Sequence, residues 1–223
     1  MANAGIVRGE RGKRRLLVGV TSLDRVRRLC QTLFDPAEFL SPHGLRSMSA
    51  HHRRHPYVLE VAGVRADVDY EPAESTTAMF GGNSNWRGPV WFPLNYLIAT
   101  ALERYHEFFG DELTIEYPTG SGTKATLDVV AADLWERLVS LFLVDQDGRR
   151  PCFGGVERMQ ADPRWRNNLL FHEYFHGDNG AGLGASHQTG WTGLVADVIR
   201  RRHHAYPVTS DVIQRLVRDK EIQ

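Results

Sequence analysis

Residues 151–187 constrain this chain most. They show neither the three-to-four spacing of an amphipathic helix nor the alternation of a strand, yet they lie between strongly helical segments. Loops this long are uncommon in compact domains and tend to be functional when ordered. A second aperiodic stretch, Gly81-Gly82-Asn83-Ser84-Asn85, precedes another helix. Both loops are rich in Trp, Asn, His and Gly, a mix that invites a ligand. The pattern is helix, long loop, helix, with the chemistry in the loops.

The helices are legible from their apolar spacing. Ser22 is placed to cap one whose Leu23, Val26, Leu29, Cys30 and Leu33 share a face, ended by Asp35-Pro36. Pro89 opens a longer one through Val90, Leu94, Leu97, Ile98, Ala101, Leu102, Tyr105 and Phe109, stopped by Gly110-Asp111. A third runs from Leu127 through Val130, Ala131, Leu134, Leu138 and Leu141 to Phe142. Another starts near Thr189 with Trp191, Leu194, Val195, Val198 and Ile199 inward, and a weaker one follows Ser210. Tyr57 to Val61 and Val64 to Tyr70, parted by Ala62-Gly63, read as an inserted β-hairpin. Residues 1–21 lack a period and read as an irregular basic leader.

Charge excludes some partners. Lys plus Arg and Asp plus Glu stand at 27 each, so nothing advertises a nucleic acid or an anionic membrane. The basic clusters, Arg8 to Arg28 and Arg200 to His204, read as solvated faces or arms. Cys30 and Cys152 have no CxxC spacing, which suits a reducing compartment. Leu16 to Val20 is too short for a signal-peptide core. The expectation is a cytoplasmic protein.

Two loop segments carry the chemistry. In Asn85-Trp86-Arg87-Gly88-Pro89-Val90-Trp91, indoles that can stack on a sugar ring sit beside groups that can bond its hydroxyls. The alternative is that Trp86 and Trp91 cap the core while Arg87 makes a structural ion pair. The second segment, His172-Glu173-Tyr174-Phe175-His176, spells HExxH, in which a helix puts two imidazoles on one zinc. Gly177, Gly180, Gly182 and Gly184 follow at once and argue against such a helix. A zinc metallopeptidase is therefore a distant alternative, and no metal or cofactor is expected. Glu173 could instead act as a general base toward water attacking an anomeric carbon, with His187, Gln188 and Trp191 fixing the sugar. An ordinary ion pair would explain Glu173 as well. Asp178 reads as a loop-structuring residue that accepts backbone amides. The turn at Asp145-Gln146-Asp147-Gly148 lacks the acid of a calcium loop, and Gly120 to Lys124 lacks phosphate-loop spacing.

The strings Gly81 to Pro89 and Glu173 to Gly193 resemble the C-terminal region of large bacterial glucosidases of glycoside hydrolase family 63, which are related to processing α-glucosidase I and mannosylglycerate hydrolases. Phe39 to Ser49, Pro72-Ala73-Glu74-Ser75 and Tyr117 to Gly122 extend the likeness. The resemblance implies an all-α fold, part of an (α/α)6 toroid with long loops and the small hairpin insertion. It also implies inverting hydrolysis of α-linked glucose-containing saccharides. Residues 22–205 would then be the C-terminal part of that catalytic domain, and 206–223 a tail or short helix. Glu173 falls at the family's general base, although the loop reads Glu-Tyr-Phe rather than Glu-Asn-Tyr. Trp86, Arg87, Trp91 and Asn95 fall on the pocket-lining segment. The general acid, an Asp in the preceding half of the toroid, has no counterpart here. The expectations are a fragment whose partner is the missing N-terminal half, or an inactive carbohydrate-binding remnant.

Overall fold

The computed structural model describes residues 5–8, 15–18, 22–78, 85–188 and 190–203. It opens with strands β1 (Gly5–Arg8) and β2 (Arg15–Val18), paired antiparallel. Within the stretch expected to be an irregular leader, residues 5–8 and 15–18 are therefore strands, too short to register as a period. Helix α1 (Leu23–Leu33) follows, with Ser22 at its N-cap. Ser22 caps through its carbonyl, which accepts from the Arg25 and Val26 amides, and makes no side-chain cap bond. Val26 and Cys30 face inward while Leu29 is 63% exposed, so the buried stripe is narrower than the spacing suggested.

Strands β3 (Leu40–Ser41) and β4 (Gly44–Leu45) form a tight pair. Gly44 has φ +134°, and a side chain there would meet Asn95 Oδ1 at 2.9 Å. The hairpin β5 (Tyr57–Val61) and β6 (Val64–Val68) lies where expected, turned by Ala62 and Gly63, both at positive φ. Its register pairs Tyr57 with Val68, Leu59 with Ala66 and Val61 with Val64, which puts these six side chains on one face. Glu60 and Arg65 pair on the other.

Helix α2 (Phe92–Phe109) starts three residues later than Pro89 implied. Pro93, not Pro89, sits in its first turn, and Val90 is extended, bridging Arg46 and Phe175. Its inward face is Phe92, Asn95, Ala99, Leu102 and Phe109. Leu94 and Leu97, expected inward, are 40% and 62% exposed. The helix is apolar on both sides, so a 3.6-residue period is compatible with either face.

Strands β7 (Thr114–Glu116) and β8 (Lys124–Thr126) lead into α3 (Leu127–Ser140), the most buried of the described α-helices. Its Leu127, Val130, Ala131, Leu134 and Leu138 are fully buried, and α2 packs along it. A short α4 (Glu157–Ala161), strands β9 (Tyr174–Phe175) and β10 (Gly182–Leu183), and α5 (Val195–His203) complete the described chain. Val195 and Val198 of α5 are buried, and the helix packs on α3. Trp191, expected inward, is 37% exposed, as is Ile199 at 38%. Thr189 and the helix expected after Ser210 lie outside the described residues.

The core is thus helical, as expected of part of a helical domain. The all-α expectation is corrected, since five two-stranded antiparallel sheets accompany the helices among the described residues. No helix of the described residues is long and apolar enough to cross a membrane.

Two substitutions separate core from surface. Leu134→Ala should cost about 2–5 kcal/mol of unfolding free energy in urea denaturation, because Leu134 is enclosed on all sides. Leu97→Gln should change it by no more than about 0.5 kcal/mol. A comparable loss at position 97 would contradict the helix facing described here.

Candidate active site

Backbone pairing brings the two sequence-distant loops together. Val90 and Phe175 exchange both of their hydrogen bonds, at 2.8 and 2.9 Å, and both side chains are fully buried. The Ser47 amide donates to the Pro89 carbonyl at 3.0 Å, and Gly177 donates to Pro72 at 2.9 Å. Gly177 packs so closely that a methyl group there would lie 2.4 Å from the Gly88 carbonyl oxygen. The tip between β9 and β10 is closed by His176, whose amide donates to Ala181 and whose Nδ1 accepts from the Asp178 amide.

An aromatic wall results. Trp86 lies on Trp91 with ring centroids 3.9 Å apart and planes 5° from parallel. Trp91 stacks in turn on Tyr174 at 4.8 Å, and Trp191 meets Trp91 edge-on at 6.2 Å. Trp91 is the enclosed middle of this stack, 3% exposed, with its Nε1 donating to the Asn85 carbonyl at 2.9 Å. The indoles with accessible surface are Trp86, half-buried, and Trp191, exposed.

Glu173 precedes Tyr174 at the edge of this wall and is half-buried. Its amide donates to the Ala185 carbonyl at 2.8 Å, and its Oε2 accepts from the Ala185 amide at 3.4 Å. Beside it, the Gly184 amide donates to Glu74 Oε1 at 3.3 Å. Burial, and then the charges of Glu74 and Glu173, push the Tyr174 phenol up to about 12, so it stays a neutral proton donor. Glu74 and Tyr174 were not singled out individually from the sequence. The usable signal was the string Pro72 to Ser75.

His187 is exposed, and its backbone bridges Phe171. His172 lies against Gly182, where a methyl group would meet its Cδ2 at 2.1 Å. Burial, then the charge of His187, hold its pKa below the usual histidine value. Tyr174 and Phe175 are paired in β9 and none of residues 172–176 is helical, so His172 and His176 do not share a helix face. That overturns the zinc metallopeptidase alternative. No group of three or more His, Cys, Asp or Glu among the described residues is arranged to hold a metal ion.

Arg87 and Asn95 lie inside the protein, each 2% exposed. The Arg87 guanidinium bonds Glu71, Asp69 at 3.3 Å, Ser75 at 3.0 Å and Thr77 at 3.3 Å. The Asn95 carboxamide accepts from the Leu45 amide at 2.6 Å and donates to the Leu45 and Trp91 carbonyls, both at 3.0 Å. These two side chains hold the loops and turn none of these groups outward. Asp178 is structural, though through side chains rather than backbone amides: Arg46, Arg53 and Tyr70 all donate to it. A cleft of about 550 Å³, lined by His43, Asp145, Arg150 and Gln160 among others, includes none of the expected site residues. Residue chemistry, not concavity, marks the candidate site.

Residues 8–192 match the mannosylglycerate hydrolase MGH1-like glycoside hydrolase domain. Over 184 residues, 82% of the chain, the sequence is 46% identical to the uncharacterized protein YMR196W of Saccharomyces cerevisiae. It is 24% identical over 191 residues, 84% of the chain, to the probable mannosyl-oligosaccharide glucosidase of Schizosaccharomyces pombe. It is also 24% identical over 179 residues, 79% of the chain, to the mannosyl-oligosaccharide glucosidase of Saccharomyces cerevisiae. These are yeast proteins, where bacterial enzymes were expected. The chain spans 17%, 17% and 15% of their lengths, respectively.

The ion pairs set two expectations. Arg87→Ala should destabilise the fold by about 1.5–3 kcal/mol in urea denaturation, because Thr77 and the half-buried Glu71 and Ser75 lose a charged donor. Arg87→Lys should recover only part, since an ammonium cannot fork between acceptors. Burial alone would raise the Asp178 pKa, but the Tyr70 bond and the Arg53 and Arg46 charges hold it below 3.8. A depressed carboxyl adds stability that is present above 3.8 and lost as pH falls through the lower folded value. Asp178→Asn should therefore flatten the fall of stability below about pH 5. An unchanged slope in acid titration would refute that linkage.

Proposed function

The chain belongs to the mannosylglycerate hydrolase MGH1-like glycoside hydrolase family, and on that premise we propose that it carries the general-base side of an inverting glycosidase site. The substrate class is α-linked glucose-containing or related saccharides. The observation that carries the reading is Glu173, half-buried at the edge of the Trp86, Trp91 and Tyr174 stack, with the Ala185 amide on its carboxylate.

In this mechanism the ionised Glu173 takes a proton from water as the water attacks the anomeric carbon. Trp86 and Trp191 offer ring faces to the sugar, and His187 lies exposed to meet its hydroxyls. Trp91, Arg87 and Asn95 act from behind by fixing the loops. Inversion requires a second carboxyl group about 6.5–9.5 Å away to protonate the leaving oxygen. That acid comes from polypeptide outside this chain, the other part of an (α/α)6 toroid. The exposed Leu94 and Leu97 stripe of α2 supports such a neighbour. The names of the two glucosidase relatives support glucose as the sugar. Cys30 and Cys152, buried free thiols, fit a reducing compartment such as the cytoplasm.

A second reading is saccharide binding without turnover, through the accessible indoles of Trp86 and Trp191 on the stack. A panel of α-glucosides, given to a protein that holds both this chain and the polypeptide supplying the acid, separates the two. Hydrolysis should release the β-anomer and fall about 10²–10⁴-fold in Glu173→Gln, with binding kept within a few-fold. Binding seen by tryptophan fluorescence without hydrolysis supports the second reading. Turnover indifferent to Glu173→Gln, or release of the α-anomer, sinks the first.

A further inference from the structure

We propose that Glu74 is a positioning residue of this site, holding the Gly184–Ala185 turn that in turn fixes the Glu173 carboxylate. The inference rests on the reading of Glu173 as the base, but the contacts that carry it do not.

Two neighbouring amides of one turn serve two different carboxylates. Gly184 donates to Glu74 Oε1 at 3.3 Å, and Ala185 donates to Glu173 Oε2 at 3.4 Å. The turn is tight against the base. Gly184 has φ +67°, and a methyl group on it would meet Glu173 Oε2 and Tyr174 Cε1, each at 2.8 Å. A shift of this turn therefore moves the Glu173 carboxylate with it. Both carboxylates also act on the Tyr174 phenol, which places them around one ring.

Glu74 is exposed, yet its loop is anchored on both sides. Arg87 grips Glu71 before it and Ser75 and Thr77 after it. Asn85 Nδ2 donates to the Glu71 and Ala73 carbonyls at 2.9 and 2.6 Å. The line of support runs from buried Arg87 and Asn85, through the 71–77 loop and Glu74, to the Gly184 amide and Glu173. It explains why an arginine next to the tryptophans is turned inward. Two like charges on adjacent amides repel, and the anchored loop opposes their separation.

Amide hydrogen exchange on the full chain, read residue by residue by NMR, tests this. In Glu74→Ala the Gly184 and Ala185 amides should exchange about fivefold to tenfold faster, the scale of one lost hydrogen bond, while Phe175 stays unchanged. Glu74→Gln, which keeps an acceptor oxygen, should restore most of the protection. Glu74→Asp, one methylene too short, should behave like Glu74→Ala and stands in if the alanine variant does not fold. Unchanged exchange at Gly184 and Ala185 in Glu74→Ala or Glu74→Asp overturns the proposal, as does Glu74→Gln exchanging as fast as alanine. A parallel saccharide titration keeps the two ideas apart. If the unsubstituted chain binds no sugar, the proposed function fails while the exchange comparison still decides the role of Glu74.

Discussion

The reciprocal backbone pairing of Val90 with Phe175 is the constraint on which the candidate site depends. Both residues are fully buried, so each N–H and C=O must find a partner inside the protein, and each finds it in the other. This one bridge puts the loop that ends in Trp91 beside the strand that follows Glu173. Joining segments so far apart in sequence costs chain entropy, but the cost grows only slowly with the length of the loop enclosed. The flanking bonds, Ser47 to Pro89 and Gly177 to Pro72, then fix the angle between the segments. Without the bridge, α2 and α3 would still have a core to bury. The indoles and the carboxylate would have no reason to meet.

Charge is distributed around that bridge in a way that shapes what the face can recognise. Arg87 is committed to Asp69 and Glu71, and Arg46 and Arg53 to Asp178. The pairs of Arg87 with Glu71 and of Arg46 with Asp178 are partly desolvated, and such pairs contribute little net stability against apolar replacements, yet losing one partner is expensive. They therefore act as fixed joints. With these guanidiniums engaged and two carboxylates on the Gly184–Ala185 turn, the proposed contact with a sugar would fall to indole faces and to neutral donors and acceptors.

The sequence made the regular elements legible and left the joints obscure. Helices α1 and α3 and the β5–β6 hairpin stand where spacing and the Ala62-Gly63 turn put them, because their signals are local. Helix α2 was placed three residues early since either Pro89 or Pro93 could open it, and apolar residues on both sides hid which face is inward. The HExxH spelling fits zinc by residue type, but the four glycines after it already argue against a helix, and the pairing of Tyr174 with Leu183 makes Tyr174–Phe175 a strand. The Trp86 to Trp91 string and Glu173 were readable as a string. That Arg87 turns inward was not, because Asp69 and Glu71 look like any other surface acids in sequence. Likewise Asp178 meets Arg46 across 132 positions, and no periodicity reports a pair of that kind.

The position of Trp91 shows why an enclosed aromatic can still matter to a surface event. Its ring is sandwiched by Trp86 and Tyr174, and its only N–H is bonded to Asn85, so it has no freedom to tilt. Trp86 consequently rests on a rigid plate instead of on solvent, and loses little side-chain entropy when a ring stacks on its outer face. The same plate abuts Tyr174, the residue next to Glu173, so stacking surface and carboxylate are registered through one continuous set of contacts. A single exposed indole on a loose loop could bind a sugar as well in principle, but it would not hold that sugar at a fixed height above a carboxylate. In the proposed mechanism, fixed height is what proton transfer from water demands of the base, and the buried tryptophan, not the exposed one, would supply it.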